Sequence, residues 1–165
     1  RFCPTIKSGA MNKNNLKILL FLALGISLFS TNVFANGPIR PLTSITPGVV
    51  DPNATIEKIC TPGYTDTVRH VTQKMKDDVF YNYGINPNQD KYEIDHLISL
   101  ELGGTNEPQN LWPQSYCGNP YNAHVKDKLE NKLHVLVCNG SITLDEAQKA
   151  ISTDWIKAYT KYGVK

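Results

Sequence analysis

Apolar residues recur at helical spacing in three parts of the chain. Within residues 121–138 the repeat falls on every fourth position, at Val125, Leu129, Leu133 and Val137. Such a stripe is typical of an amphipathic helix that buries one face, and Asn139-Gly140 would end it. We also predict a helix over residues 71–83, which stops at Gly84 and whose apolar positions are Val71, Met75, Val79 and Phe80.

The third helix is predicted from its first residues. Thr143-Leu144-Asp145-Glu146 is a capping box, in which the Thr143 hydroxyl and the Glu146 carboxylate satisfy free N–H groups of the first turn. We expect the helix to run to about Tyr162. Its inner face consists of Leu144, Ala147, Ile151, Trp155 and Ala158.

The segment between the helices predicted at residues 71–83 and 121–138 has the pattern of two strands joined by a glycine loop. Residues 92–100 mix apolar and polar side chains as a half-buried strand does, and Gly103-Gly104 predicts a loop. Residues 110–112 form a short extended segment, which Pro113 excludes from the centre of a sheet. The order strand, loop, strand, helix is a ββα unit with helices on either side, so the predicted fold class is α+β.

The first 35 residues have the features of export. Met11 is followed by Lys13 and Lys17, by an apolar run over residues 18–29 and by the small residue Ala35. This order is typical of a secretory signal peptide. We therefore expect a periplasmic or secreted protein that keeps no membrane span after cleavage.

The same features divide the chain into four segments. Residues 1–10 precede the first methionine and are expected to be upstream sequence, and residues 11–35 are expected to be the signal peptide. The proline-rich residues 36–56 predict an extended arm. Residues 57–165 are then long enough for one domain with one core.

The charge of the chain argues against a general affinity for nucleic acid. The sequence holds 17 Lys and Arg against 15 Asp and Glu, but four of the basic residues and none of the acids lie before residue 36. The expected exported chain therefore carries a net charge of −2. Any binding of nucleic acid must depend on a local site.

Three cysteines follow the expected cleavage point. Export places them in an oxidising compartment, which favours a disulfide. We prefer the pair Cys60 and Cys138, which leaves Cys117 unpaired, although the spacing is compatible with the other pairings. Because the sequence contains no Cys-x-x-Cys pair, we do not expect a metal–thiolate site.

Candidate catalytic groups lie in the ββα unit. Asp95 offers a hard anionic oxygen ligand and His96 a base near neutral pH, but neighbours in a regular strand point to opposite faces. For both to serve one site, the strand must bend or end there. The loop would then bring Asn110 close, and its amide could hold the loop or orient the imidazole. His124, in the first turn of the next helix, could share a divalent cation with Asp95.

The sequence YEIDHLISLELGGTNEPQNLWPQ, followed by NAHVKDKLE, resembles the HNH nucleases, whose core is the ββα-metal fold. The likeness covers about residues 92–131 and is nearest to small exported HNH-type proteins. It implies a general base at His96, a metal ligand at Asp95, the middle asparagine of the motif at Asn110 and a second metal ligand at His124.

The chain departs from the HNH pattern in its spacing. Asn110 and His124 are 14 positions apart, which is longer than in many HNH domains. Asn122 and Asp127 therefore remain alternatives for the second ligand. The zinc-knuckle cysteines of some HNH proteins are also missing, so no structural zinc is implied.

The resemblance implies an endonuclease that hydrolyses phosphodiester bonds of nucleic acid with one divalent ion (Mg, Mn, Ni or Zn). DNA is favoured as the substrate, and RNA remains the alternative. Four basic residues could contact the phosphates, namely Arg69, Lys126, Lys128 and Lys132. The alternative is a non-catalytic exported ββα module that binds nucleic acid or a protein partner.

Overall fold

A computed structural model describes residues 40–87, 91–118 and 120–163. The expected signal peptide and the residues before it lie outside this part. The described chain contains the helices α1 (Ile56–Ile59), α2 (Tyr64–Val68), α3 (Gln73–Asn82), α4 (Ala123–Cys138) and α5 (Leu144–Lys161), with the strands β1 (Tyr92–His96) and β2 (Leu111–Ser115) between α3 and α4. The fold class α+β is therefore confirmed.

The three helices predicted from apolar spacing are all present. Thr72, Asn122 and Thr143 cap the N-termini of α3, α4 and α5, and each side chain accepts a hydrogen bond from a backbone N–H in the first turn. The short helices α1 and α2 were not predicted, because each is too short to show a period of apolar residues.

The two strands form an antiparallel hairpin in which Tyr92 pairs with Ser115 and His96 with Leu111. β1 is shorter than predicted, because the chain leaves the ladder after His96 and forms a 3-10 turn at Leu100–Leu102. Pro113 lies opposite Ile94 and is tolerated because the sheet has only two strands. The ladder still includes Asp95 and His96, and it ends directly after them.

Two apolar clusters hold these elements together. One lies between α4 and α5 and includes Leu129, Leu133, Ile151 and Trp155, and the other lies between α3 and the hairpin and includes Trp112. The Cys60–Cys138 disulfide adds a covalent link from the end of α1 to the end of α4. That pairing was preferred from the sequence. Cys117 is also disulfide-bonded, so the expectation of an unpaired thiol there is wrong.

The described part of the proline-rich segment contacts the hairpin at Thr46 and the glycine loop at Val50. The Thr46 hydroxyl is fully buried and donates to the Leu111 carbonyl at 2.9 Å, while Val50 forms a β-bridge with Gly104. The segment therefore covers one side of the glycine loop. No helix in the described part of the chain is both long and apolar enough to cross a membrane.

Candidate functional site

A polar cavity of about 230 Å³ lies between β1 and α4. We call it the His96 cavity. It brings four carboxylates, one imidazole and one guanidinium together, and its lining is Arg69, Glu93, Ile94, Asp95, His96, Ser99, Leu100, Asp127 and Glu130. Asp95 and His96 both line it, together with Glu93 and Ile94 of the same strand.

Asn110 builds the loop beside this cavity. Its side chain is fully buried; Oδ1 accepts from the Ile98 N–H at 3.0 Å, and Nδ2 donates to the carbonyls of Ile98 and Thr105 at 2.9 and 2.8 Å. A Cβ on Gly104 would lie 1.8 Å from the Ile98 oxygen. Asn110 therefore holds the backbone of the loop, one of the two roles expected for it, and the double glycine leaves room for that contact.

The ring of His96 is held by Asn106 instead. Asn106 Oδ1 lies 3.1 Å from His96 Nε2, and the amide orientation is set by its other bonds, since Nδ2 donates to the Val68 carbonyl at 2.7 Å and Oδ1 accepts from the His70 N–H at 3.3 Å. An amide oxygen only accepts, so His96 Nε2 must carry the proton. In the neutral ring, Nδ1 is then the nitrogen with a free lone pair.

His96 is suited to remain neutral. Its exposed fraction is 5%. Burial is the main reason that its pKa is lowered, although the Asn106 bond and the charge of Asp95 partly oppose that shift. A neutral imidazole can accept a proton.

Lys126 is the least expected member of the site. It is fully buried, and its ammonium lies 2.7 Å from Asp95 Oδ2, donates to the His96 carbonyl at 2.6 Å and also donates to Glu130 Oε1. Burial alone would lower the pKa of Lys126, but the two carboxylates outweigh it and raise that pKa. Lys126 is thus a permanent cation that fixes Asp95 and the end of β1, and it offers no free ammonium to a phosphate.

The other carboxyl groups of the cavity have raised pKa values, and burial is the largest cause for each. Burial, and then the charge of Asp95, raise the pKa of Asp127. Burial also raises the pKa of Glu93, against a 2.7 Å hydrogen bond from the Tyr116 hydroxyl. Burial raises the pKa of Glu130 to about 8, even though the Lys126 ammonium favours the ionised form. A bound cation would favour the ionised form of these groups.

His124 lies outside the cavity lining. Its side chain is 70% exposed, it stacks against Tyr116 with 5.1 Å between ring centroids, and its Nδ1 is 3.8 Å from Asp127 Oδ2. Asn122 is occupied as the cap of α4, where its Oδ1 accepts from Val125 at 3.1 Å. Of the three ligand candidates on this part of the chain, Asp127 alone lines the cavity.

The four basic candidates are also separated by the fold. Arg69 lines the cavity and is exposed, whereas Lys126 is buried. Lys128 is exposed and Lys132 half-buried, and neither lines the cavity.

Sequence reasoning missed Asn106, Glu93 and Glu130. Glu130 follows Lys126 at an i,i+4 spacing, which was a usable signal, but no pattern linked Asn106 to an imidazole ten positions away.

A second group of potential ligands lies at the far end of α4. Ligand atoms of Cys60, His134 and Cys138 all lie within 4.8 Å of one another, close enough to hold one metal ion. Two of these atoms are the sulfurs of the disulfide. A metal–thiolate site was not expected, because the sequence contains no Cys-x-x-Cys pair, and only the fold brings these two cysteines together.

Comparison of the chain with known protein families, with curated proteins and with solved structures finds no match in any of the three.

Proposed function

We propose that this protein is a metal-dependent endonuclease of the HNH type that hydrolyses phosphodiester bonds in nucleic acid, DNA rather than RNA. The observation that carries the proposal is the His96 cavity, where a buried neutral imidazole and carboxylates from β1 and α4 line one space. An ordinary charged surface would not require a buried imidazole and several carboxyl groups around one cavity.

His96 acts as the general base in this proposal. The Nε2–H of the ring is engaged by Asn106, so Nδ1 takes the proton from the attacking water. The imidazolium that results keeps the Asn106 hydrogen bond, and the charge of Asp95 favours it. Asn106 is thus a positioning residue, and Asn110 holds the loop on which Asn106 lies.

The donor set of the cavity fits a hard divalent cation. Asp95 and Asp127 are the proposed ligands, with Glu93 and Glu130 beside them, and the buried Ser99 hydroxyl has no hydrogen-bond partner among the described residues. Oxygen donors of this kind favour Mg²⁺ or Mn²⁺ over Zn²⁺. When bound, such a cation neutralises charge on the scissile phosphate and stabilises the leaving oxygen.

Asp127 replaces His124 as the second proposed ligand, because it lines the cavity and His124 does not. Arg69 is the proposed phosphate contact, since it is exposed at the edge of the same cavity. Lys126 does not contact the substrate in this proposal. Its buried ammonium holds the Asp95 carboxylate in place.

The test is cleavage of supercoiled plasmid and of structured RNA by the purified chain, with Mg²⁺, Mn²⁺, Ni²⁺ or Zn²⁺ and with chelator. His96→Ala should slow cleavage by about 10²–10⁴-fold and leave metal binding intact in a calorimetric titration. Asp127→Asn should weaken metal binding, and His124→Gln should bind metal like the parent. The reverse result for this pair would restore His124 as the ligand.

One observation favours the non-catalytic alternative. The Lys126 ammonium already contacts Asp95 Oδ2, as a metal ion would. If the parent chain binds nucleic acid or a protein but cleaves neither DNA nor RNA with any of the four ions, the binding module is the better description.

A further inference from the structure

The Cys60–Cys138 disulfide has an imidazole against one of its sulfurs. His134 Nε2 lies 3.3 Å from Cys138 Sγ and 3.0 Å from the carbonyl oxygen of Ile59. Cys138 is exposed, while Cys60 and His134 are half-buried. The cluster therefore combines two soft donors and one nitrogen donor at a point that solvent can reach.

We propose that Cys60, His134 and Cys138 form a redox-gated site for a soft divalent cation such as Zn²⁺. The site is closed while the disulfide is in place, because the ligand of a metal is a thiolate and not a disulfide sulfur. It forms when the bond is reduced. Two thiolates and one imidazole are a donor set that favours zinc over magnesium or calcium.

The carboxylate of Glu101, next to the ring of His134, distinguishes this site from an ordinary histidine beside a disulfide. Its Oε2 lies 3.7 Å from His134 Nδ1, on the side of the ring away from Ile59 and Cys138. If Nε2 gives up its hydrogen bond to Ile59 and binds a cation, the ring proton resides on Nδ1 and faces Glu101. A carboxylate behind a ligating histidine in this way orients the ring and strengthens the ligand.

The fold keeps the three ligands together after reduction. His134 and Cys138 are one turn apart on α4, and Cys60 follows the buried Ile59, which belongs to the same apolar cluster as Leu133 and Val137. The packing that surrounds the site does not depend on the covalent bond. Side-chain rotation alone must then separate the two sulfurs.

The opening reaction is an ordinary exchange with a dithiol reductant. One thiolate of the reductant attacks a sulfur of the bond, and the bonding electron pair passes to the other sulfur, which takes up a proton. The second thiol of the reductant displaces the mixed disulfide. The reductant is oxidised by two electrons to a disulfide, the chain gains two thiols, and both thiols lose their protons to solvent when the cation binds.

The experiment uses cobalt(II) as a spectroscopic probe for zinc on the full chain. The reduced chain, freed of reductant without air, should bind cobalt with the thiolate-to-cobalt absorption of a site containing two sulfurs, and the oxidised chain should not. His134→Gln should weaken binding at least tenfold, and Glu101→Gln by about 10–100-fold. Cys117→Ser is the matched control and should bind like the parent.

Folding of the reduced chain is followed by circular dichroism in parallel. If reduction loosens the chain, zinc should restore the helical signal and protect Cys60 and Cys138 from alkylation, because binding to such a site contributes folding free energy. The proposal is overturned if the reduced parent shows no thiolate–cobalt absorption, if His134→Gln binds as tightly as the parent, or if Cys117→Ser abolishes binding. None of these outcomes depends on nuclease activity.

Discussion

The two ends of α4 border two different histidine sites. Near its start, Asp127 and Glu130 line the His96 cavity, where the imidazole is 5% exposed and bonded to a neutral amide. At its end, His134 has a side chain that is 27% exposed and lies between a carboxylate and a sulfur. The same residue type therefore meets hard oxygen donors at one end of the helix and soft sulfur donors at the other.

The difference shows how surroundings decide the chemistry of a histidine. Burial lowers the pKa of His96, and the amide of Asn106 fixes its proton on Nε2, so the ring is prepared to accept a proton on Nδ1. At His134, Nε2 lies against the Ile59 carbonyl oxygen and Nδ1 faces the Glu101 carboxylate. This ring is placed to donate a hydrogen bond or to bind a cation. A variant at one end should leave the geometry of the other in place, such as the Cys60–Cys138 bond.

Lys126→Met should have the largest effect and should act on the cavity end only. It leaves the half-buried acidic side chains of Asp95 and Glu130 without their shared, fully buried cation, which should cost about 3–5 kcal/mol of unfolding free energy. Urea denaturation measures the loss. The Cys60–Cys138 bond should still form, as peptide mapping can check.

Two further variants make the Lys126 result specific. Adding Glu130→Gln to Lys126→Met removes a carboxyl group that has lost its cation and should recover part of the stability. Lys128→Met, at an exposed position two residues along the same helix, should change stability by no more than about 0.5 kcal/mol. Equal losses for Lys126→Met and Lys128→Met would mean that the buried ion pairs do not hold the cavity.

Asn110→Ala should have the next largest effect. It leaves the Ile98 N–H and the Ile98 and Thr105 carbonyls without their partner in a buried loop, which should cost about 2–3 kcal/mol. The exposed neighbour Gln109→Ala is the control in the same denaturation assay. Should Asn110→Ala lose cleavage while its stability equals that of the control, Asn110 acts in the chemistry and not through the loop.

Tyr83→Phe should have the smallest effect and touches neither histidine site. The Tyr83 hydroxyl hydrogen-bonds the Thr46 hydroxyl at 2.8 Å and accepts from the Leu42 N–H at 3.1 Å, so its removal should cost about 1 kcal/mol. The exposed Tyr81→Phe is the control.

The same pair of variants gives a pH dependence with a definite sign. Burial raises the pKa of Tyr83, against the opposing hydrogen bonds from Thr46 and Leu42, so the folded chain holds the phenolic proton more tightly than the unfolded chain. The stability from this group is complete below about pH 10 and is lost as the pH rises through the folded pKa. Alkaline denaturation should therefore be less steep for Tyr83→Phe than for Tyr81→Phe. Identical alkaline profiles would contradict the shift.

Local signals were enough for most of the secondary structure. The apolar positions Leu129, Leu133 and Val137, which are buried in α4, and the Thr143 cap of α5 were identified from spacing alone, because a helix repeats on a short period. The end of β1 near His96 was expected only because Asp95 and His96 had to serve one site. No pattern of apolar and polar residues predicted it. The preferred Cys60–Cys138 pairing was correct, whereas Cys117 was not the unpaired thiol that was expected.

The sequence by itself therefore determined the three longer helices, the two strands and the acid–histidine pair of the cavity, since these depend on residues within a few positions of each other. Only the tertiary structure decided which α4 side chains meet Asp95. Lys126, Asp127 and His124 lie within four positions, yet one is buried, one lines the cavity and one points to solvent. The rotation of α4 about its axis selects among them, and packing of Leu129 and Leu133 against α5 sets that rotation. His134 and Cys60 meet for the same reason, because long-range packing and not spacing along the chain brings them together.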